Sequence, residues 1–350
     1  EEGRVDGPAW SEARNELAEK VAIELGISFA EATGARYHVV HMSTGIGAKL
    51  IGEAKKRGIN ATSEVCPHYL TLNYQETMTK HGARSKIAPP IRTSADNEEM
   101  WEGLANGSID FVATDHAPYE LESEKDKEGT NIWTAFPGIP GVETMAPVII
   151  SEGYNKGRLS LSRTIEVLST NAAKHYGIYP KKGALEIGSD ADFAIIDLNK
   201  EWTIDPKGNQ ASMCGYTPLE GMRLKGRVIK TIVRGTVVFD DTQEGVLPGL
   251  TDEELKVVHN YPEGTAEKFA DIFEQYPDLW SAEYNNSYRK NHPEKIDEDV
   301  RRIKGIMVKP GFGQFFKRQS IQTLPKTITY KEAPKTGLNR RDYQDLPEFR

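Results

Sequence analysis

The sequence predicts an α/β fold of parallel strand–helix units arranged as in a (β/α) barrel, followed by a smaller antiparallel segment. Three observations predict it. Apolar runs alternate with amphipathic helices at about thirty-residue intervals, the rhythm of parallel βα units. One such run, Ile109 to Ala113, ends abruptly in Asp115-His116 within Phe111-Val-Ala-Thr-Asp-His-Ala-Pro-Tyr119. A barrel strand delivers a carboxylate to its C-terminal mouth in this way. After residue 180 the pattern changes to short alternating runs rich in Val and Ile.

Taken in order, residues 9–33 read as a helix. Leu17, Val21 and Leu25 recur at i, i+4 and i+8, with Glu12, Arg14, Glu16 and Lys20 on the wet side. Gly34 stops it. Tyr37-His-Val-Val-His41 is a buried strand. Residues 46–57 form a second helix with Ile46, Leu50 and Ala54 on one face, closed by Gly58, and Ile59 to Val65 is the next strand. Residues 96–106 form a third helix, with Ser94 and Asp96 as cap candidates. Ile109 to Thr114 is the strand after it. Gly183 to Asp197 and Arg223 to Asp240 read as short antiparallel strands, a small β-sandwich beside the barrel. Residues 245–350 carry charged helical stretches (252–259, 264–275, 296–304) and a basic, Pro-containing tail. The expected domains are therefore 1–180, 181–244 and 245–350.

The bulk properties bound the function. A chain of 350 residues, 38% hydrophobic and 27% charged, is long enough for a large domain plus a smaller one. A net charge of -8 argues against nucleic acid or an anionic membrane surface as the main partner. No run approaches the roughly 18 apolar residues that span a bilayer. The N-terminus has neither signal-peptide nor transit-peptide character. Two cysteines, Cys66 and Cys214, make no disulfide framework, and a cytoplasmic location is expected.

Several strand ends carry chemistry. His41 closes one apolar strand and Asp115 another. Imidazole and carboxylate suit zinc and similar divalent ions, although a catalytic zinc normally takes three protein ligands. A satisfied core histidine is the other reading of His41. Cys66-Pro-His-Tyr69 ends the intervening strand; Cys66 and His68 can ligate metal, but Pro67 between them favours a structural turn. Lys86-Ile-Ala-Pro-Pro-Ile-Arg92 is a stiff extended loop whose backbone near Ala88 either faces a ligand or forms a plain rim. Phe136-Pro-Gly-Ile-Pro-Gly-Val-Glu143 lets backbone approach a small molecule closely. It has neither Walker nor GxGxxG spacing.

These segments together resemble the second half of the cyclic amidohydrolases: hydantoinase, dihydropyrimidinase, allantoinase and dihydroorotase. The resemblance is carried by Val39-Val-His-Met-Ser43, Glu64-Val-Cys-Pro-His-Tyr-Leu70, Ala88-Pro-Pro-Ile-Arg92, Thr114-Asp-His-Ala-Pro118 and Gly138-Ile-Pro-Gly-Val-Glu143, in that order. Lys182 to Asp192 and Leu224 to Gly235 resemble the family's C-terminal β-sandwich. Gly311-Phe-Gly-Gln-Phe-Phe-Lys-Arg318 is similar to the tail of the hydantoinase–dihydropyrimidinase branch.

The resemblance implies the second half of a TIM-like (β/α)8 barrel, a small β-sandwich and a helical C-terminal extension. It implies two divalent metal ions, usually zinc, with His41 as the sixth-strand ligand and Asp115 as the eighth-strand ligand. A metal-bridging hydroxide would attack the ring, and Asp115 would pass its proton to the leaving nitrogen. Backbone groups at Ala88 and Pro137 would hold a cyclic amide or ureide. The family's His-x-His, carboxylated Lys and fifth-strand His precede the matching region. They are expected on an N-terminal half, possibly a separate chain. His38, His68, His81 and His116 match none of those positions.

Dihydroorotases carry a His four residues after the Asp and an Asn before the Pro-Pro pair, where this sequence has Tyr119 and Ala88. Both departures disfavour a carboxylated ring and leave a hydantoinase or dihydropyrimidinase-like activity, with allantoinase or dihydroorotase as the other branches. A homo-oligomer, dimer or tetramer, is expected. The competing expectations are a non-catalytic dihydropyrimidinase-related scaffold and a stand-alone half-barrel of new function.

Overall fold

The computed structural model describes residues 3–206 and 214–241. The helical stretches and tail expected between 245 and 350 lie outside them.

The helix expected over 9–33 is two helices, α1 (Gly7–Ala13) and α2 (Glu16–Thr33). The break has a local cause. Arg14 leaves helical geometry at φ -114°, ψ 63°, and Asn15 is extended. The Arg14 carbonyl then accepts from Arg92 Nη1, and its guanidinium lies 3.5 Å over the Trp10 ring. Gly34, at φ 71°, ends α2 with its N–H on the Ala30 carbonyl, as a left-handed C-cap does.

The stripe read as the buried face of α2 is the wrong one. Leu17, Val21, Leu25 and Phe29 are all more than half exposed, whereas Ile23, Ile27 and Ala30 on the opposite side enter the core. Helix α2 is thus apolar on two faces, and only one is covered among the described residues.

Strand β1 (Tyr37–Met42) runs parallel to β2 (Ala61–Val65), which runs parallel to β3 (Phe111–Val112), in the order β1-β2-β3. Helix α3 (Gly45–Lys56) connects the first pair. Thr44 caps it by accepting from the Gly47 N–H. Ile59, expected in the strand, instead donates its N–H to the Ala54 carbonyl and closes the helix end. Pro67 sits in the first turn of the short helix α4 (Pro67–Thr71), where its missing N–H is no loss. Helices α5 (Tyr74–His81) and α6 (Ser94–Asn106) follow. The cap of α6 is Thr93, not Ser94. Thr93 and Asp96 form a reciprocal capping box worth about 1 kcal/mol. Strand β3 is shorter than expected, because the Ile109 N–H turns back to Gly103, but Asp110 and Ala113 still donate to Ser63 and Val65 of β2.

Beyond the sheet, α7 (Met145–Val148) and α8 (Leu161–Ile165) run on into wider π-type turns, and α9 (Asn171–His175) ends this helical region. Strands β4 (Phe193–Thr203), β5 (Arg223–Val233) and β6 (Thr236–Asp240) form a separate antiparallel sheet. Leu224 of β5, with Ile204 and Leu219 beside the sheet, joins the same core as Ile51, Val65, Met100 and Leu104. None of the described helices is long and apolar enough to cross a membrane.

Candidate functional site

The C-terminal ends of β1, β2 and β3 lie side by side. Met42 is level with Val65, and Ala113 donates to the Val65 carbonyl at 3.0 Å. His41 and Asp115 therefore project from the same end of the sheet with only β2 between them, two strand spacings or about 10 Å apart in backbone. Both have left-handed backbone, at φ 37° for His41 and φ 45° for Asp115. Among the described residues Arg234 is the only other non-glycine with positive φ. His41 also sits where the β1–β2 register is irregular, between Val39 and Met42. Such irregularities re-aim a side chain.

The Nδ1 of His41 is buried and has no hydrogen-bond partner. A buried ring nitrogen left without a proton donor or acceptor costs stability unless something outside the protein occupies it. Cys66 and His68 lie beneath the mouth and are fully enclosed. Burial, helped by the Asp115 and Glu64 charges, pushes the Cys66 thiol up. Burial and the neighbouring His41 push His68 down to about 3, so its ring stays neutral. The Nε2 of His68 is, like the Nδ1 of His41, buried without a hydrogen-bond partner among the described residues. Among the described residues no three His, Cys, Asp or Glu side chains converge as a metal site. His41 and Asp115 fit divalent-metal ligands in kind but are too few to hold an ion alone.

The segment after His41 is fixed by a buried network that spacing gave no hint of. The Glu19 carboxylate accepts from the Ser43 N–H at 2.9 Å, the Thr44 N–H at 3.1 Å, and both hydroxyls. Arg92 pairs with Glu19 at 3.2 Å and donates its Nε to Ser43 Oγ.

Ala88 and Pro137 are both exposed, on loops that meet beside Asp115. Of the four carbonyls from Lys86 to Pro89, three are used within the protein. Lys86 accepts from Gly138 N and Lys125 Nζ, Ile87 from Trp10 Nε1, and Pro89 from the Tyr69 hydroxyl. Ala88 alone accepts no hydrogen bond among the described residues. Among the described residues the Pro137 carbonyl likewise accepts no hydrogen bond. Its loop comes so close to the strand end that a Cβ on Gly138 would meet the Tyr119 ring at 2.6 Å. His116 fixes the same loop by accepting the Gly141 and Val142 N–H groups on Nδ1. That role, like those of Lys86 and Lys125, was not visible in the sequence.

The model of the Amidohydrolase family matches residues 8–238. This chain belongs to the amidohydrolase family. Among its relatives are the L-hydantoinase of Paenarthrobacter aurescens, 37% identical over 68% of this chain and 51% of that protein, and a dihydroorotase of Syntrophus aciditrophicus, 38% identical over 64% and 51%. The solved dihydropyrimidinase of Brevibacillus agri superposes with a TM-score of 0.65 at 30% identity, covering 69% of this chain and 53% of that one. The chain spans about half the length of the relatives it matches. Its relatives are hydrolases of cyclic amides, metal binding is typical of the family, and its neighbours in structure are α/β proteins of the TIM-barrel type. Overall identity does not separate the hydantoinase from the dihydroorotase branch, since 37% and 38% are equivalent.

Proposed function

We propose that this amidohydrolase chain forms the C-terminal half of a metal-dependent hydrolase that opens a cyclic amide or ureide ring. The observation that carries the reading is the buried Nδ1 of His41, partnerless among the described residues, on left-handed backbone at the same end of the sheet as Asp115. His41 and Asp115 are the ligands this chain contributes to a pair of divalent ions, zinc in this reading. The remaining ligands, including a carboxylated Lys, come from an N-terminal barrel half. The two-faced helix α2 and the edge of β1, unpaired among the described residues and with Val40 half exposed, suit such a partner.

When bound, the ions would supply an activated water at neutral pH. The residues of this chain orient the ring and move the proton. Asp115 takes the proton from the attacking water and delivers it to the ring nitrogen as the C–N bond breaks. The unused carbonyls of Ala88 and Pro137 accept the ring N–H groups. Two acceptors match the two N–H donors of a cyclic ureide.

An uncharged ring, as in hydantoin or dihydrouracil, fits best. Tyr119 is stacked on Phe136 at 5.2 Å and offers no cation for a ring carboxylate, and Ala88 supplies only backbone. Elemental analysis of the completed barrel tests the reading. Two divalent ions per barrel are expected, with loss in His41→Ala; fewer than one rejects a binuclear site.

A further inference from the structure

Two lysines are buried beside the mouth in a way the proposed reaction does not use. Lys125 is fully buried and Lys86 nearly so. Neither forms an ion pair among the described residues. Lys125 Nζ donates to the carbonyls of Lys86 at 3.0 Å and Phe136 at 2.8 Å. Lys86 Nζ donates to those of Trp133 at 3.0 Å and Ala135 at 2.6 Å, and lies 4.2 Å from the Trp10 ring centroid. Burying an ammonium without a carboxylate is unfavourable. Here both ammoniums serve one purpose, lacing the 86–89 loop to the 133–138 loop.

The lacing dictates where the Pro137 carbonyl points. A peptide group is planar, and in the trans form its N–H and C=O are antiparallel. The cis peptides among the described residues are Ala88–Pro89 and Tyr179–Pro180, so Pro137–Gly138 is trans. Its N–H is committed to the Lys86 carbonyl at 2.8 Å. The Pro137 carbonyl must then face away from that loop. Lys125 holds both ends of this geometry, because it grips the Lys86 carbonyl that receives Gly138 and the Phe136 carbonyl one peptide earlier.

We propose that Lys125 is a positioning residue for the ring. It locks the loops of Ala88 and Pro137 into one wall and so fixes the direction of the Pro137 carbonyl and the spacing of the two loops. This rests on the reading of Ala88 and Pro137 as the ring-holding groups. Lys125 touches neither the ring nor the reacting atoms, so its loss should weaken substrate binding and leave the chemical step intact.

The test uses Lys125→Met, which keeps the length and removes the donors, in the completed barrel. Two readouts are taken: hydrogen exchange at Gly138, and steady-state ring opening of hydantoin and dihydrouracil. The expected result is at least tenfold faster exchange at Gly138, with KM raised at least tenfold and kcat within about threefold of the parent. Unchanged exchange overturns the clamp. Faster exchange with unchanged KM, or an equal loss in kcat, overturns its role in ring positioning. If the parent enzyme opens neither ring, the functional reading fails, the positioning role falls with it, and exchange still decides whether the loops are laced. Should Lys125→Met not fold, Lys125→Arg keeps the charge and displaces the donors. It should move both readouts in the same direction, and a parent-like result in both overturns the proposal.

Discussion

His41 and Asp115 share one backbone device: one at the end of β1 and the other three residues past β3, each lies in the left-handed region, at φ 37° and φ 45°, on either side of β2. Left-handed backbone costs an L-residue about 1–2 kcal/mol, a cost that glycine escapes. Strain of this kind concentrates at functional sites. Asp115→Gly should therefore be more stable than Asp115→Ala by about 1 kcal/mol, although both lose the carboxylate. Denaturant unfolding of the two variants measures the difference. Equal stabilities would mean that the conformation at Asp115 is relaxed.

Glu19 and Arg92 hold the segment that follows His41. Their side chains are only 11% and 6% exposed, so this pair is not screened as a surface pair would be. Glu19→Ala leaves Arg92 buried without its partner and removes the acceptor for two N–H groups and two hydroxyls. The expected loss is about 3–5 kcal/mol. Adding Arg92→Met should recover part of it. A double-mutant cycle reads this, and strictly additive losses would show that the two residues act independently.

The pH dependence of stability should carry a mark of Lys125. Burial, helped by the Lys86 charge, pushes its ammonium down to about 7, against the opposing pull of Glu124, Asp126 and Cys214. The folded chain releases this proton near pH 7, whereas the unfolded chain keeps it until near 10.5. Between those values the unfolded state binds more protons, so stability rises with pH, by roughly 1.4 kcal/mol per unit at the steepest. The gain is complete above the unfolded pKa and absent below the folded one. Cys66 and the buried Tyr69 oppose it at the alkaline end, because burial raises both. The difference between the parent and Lys125→Met isolates the lysine. A difference that stays flat from pH 7 to 10 contradicts this assignment.

The exposed face of α2 gives a separate prediction. Leu17→Lys with Leu25→Glu alters two side chains that are 61% and 54% exposed. Stability of this chain should change by no more than about 0.5 kcal/mol. Association with an N-terminal barrel half should be lost. Copurification of the two halves reads the second effect, and retained association would place the partner elsewhere.

What the sequence revealed follows from what periodicity and strand ends can carry. The strand ends that carry His41 and Asp115 were legible because each apolar run stops abruptly on a polar side chain. The three parallel strands were legible because each apolar run is bounded by a helix or a glycine. The orientation of α2 was not. Leu17, Val21 and Leu25 form a regular stripe, but a stripe records that a face is apolar and not what covers it. The Glu19–Arg92 network and the two lysines were also silent. Glu, Arg and Lys read as surface residues by composition, and only the tertiary fold brings Lys125 to the carbonyls of Lys86 and Phe136. Thr93 was missed as the cap by one residue, the ordinary uncertainty of a helix end.

The most direct test of the central claim is ring opening of hydantoin and dihydrouracil by the completed barrel, with Asp115→Asn measured beside the parent. Asparagine keeps the shape of the side chain and cannot carry the proton. The account predicts measurable turnover by the parent and a loss of at least a thousandfold in kcat for the variant, the scale expected when a group serves as both ligand and proton carrier. A parent that opens neither ring, or an Asp115→Asn variant that retains its kcat, would contradict it.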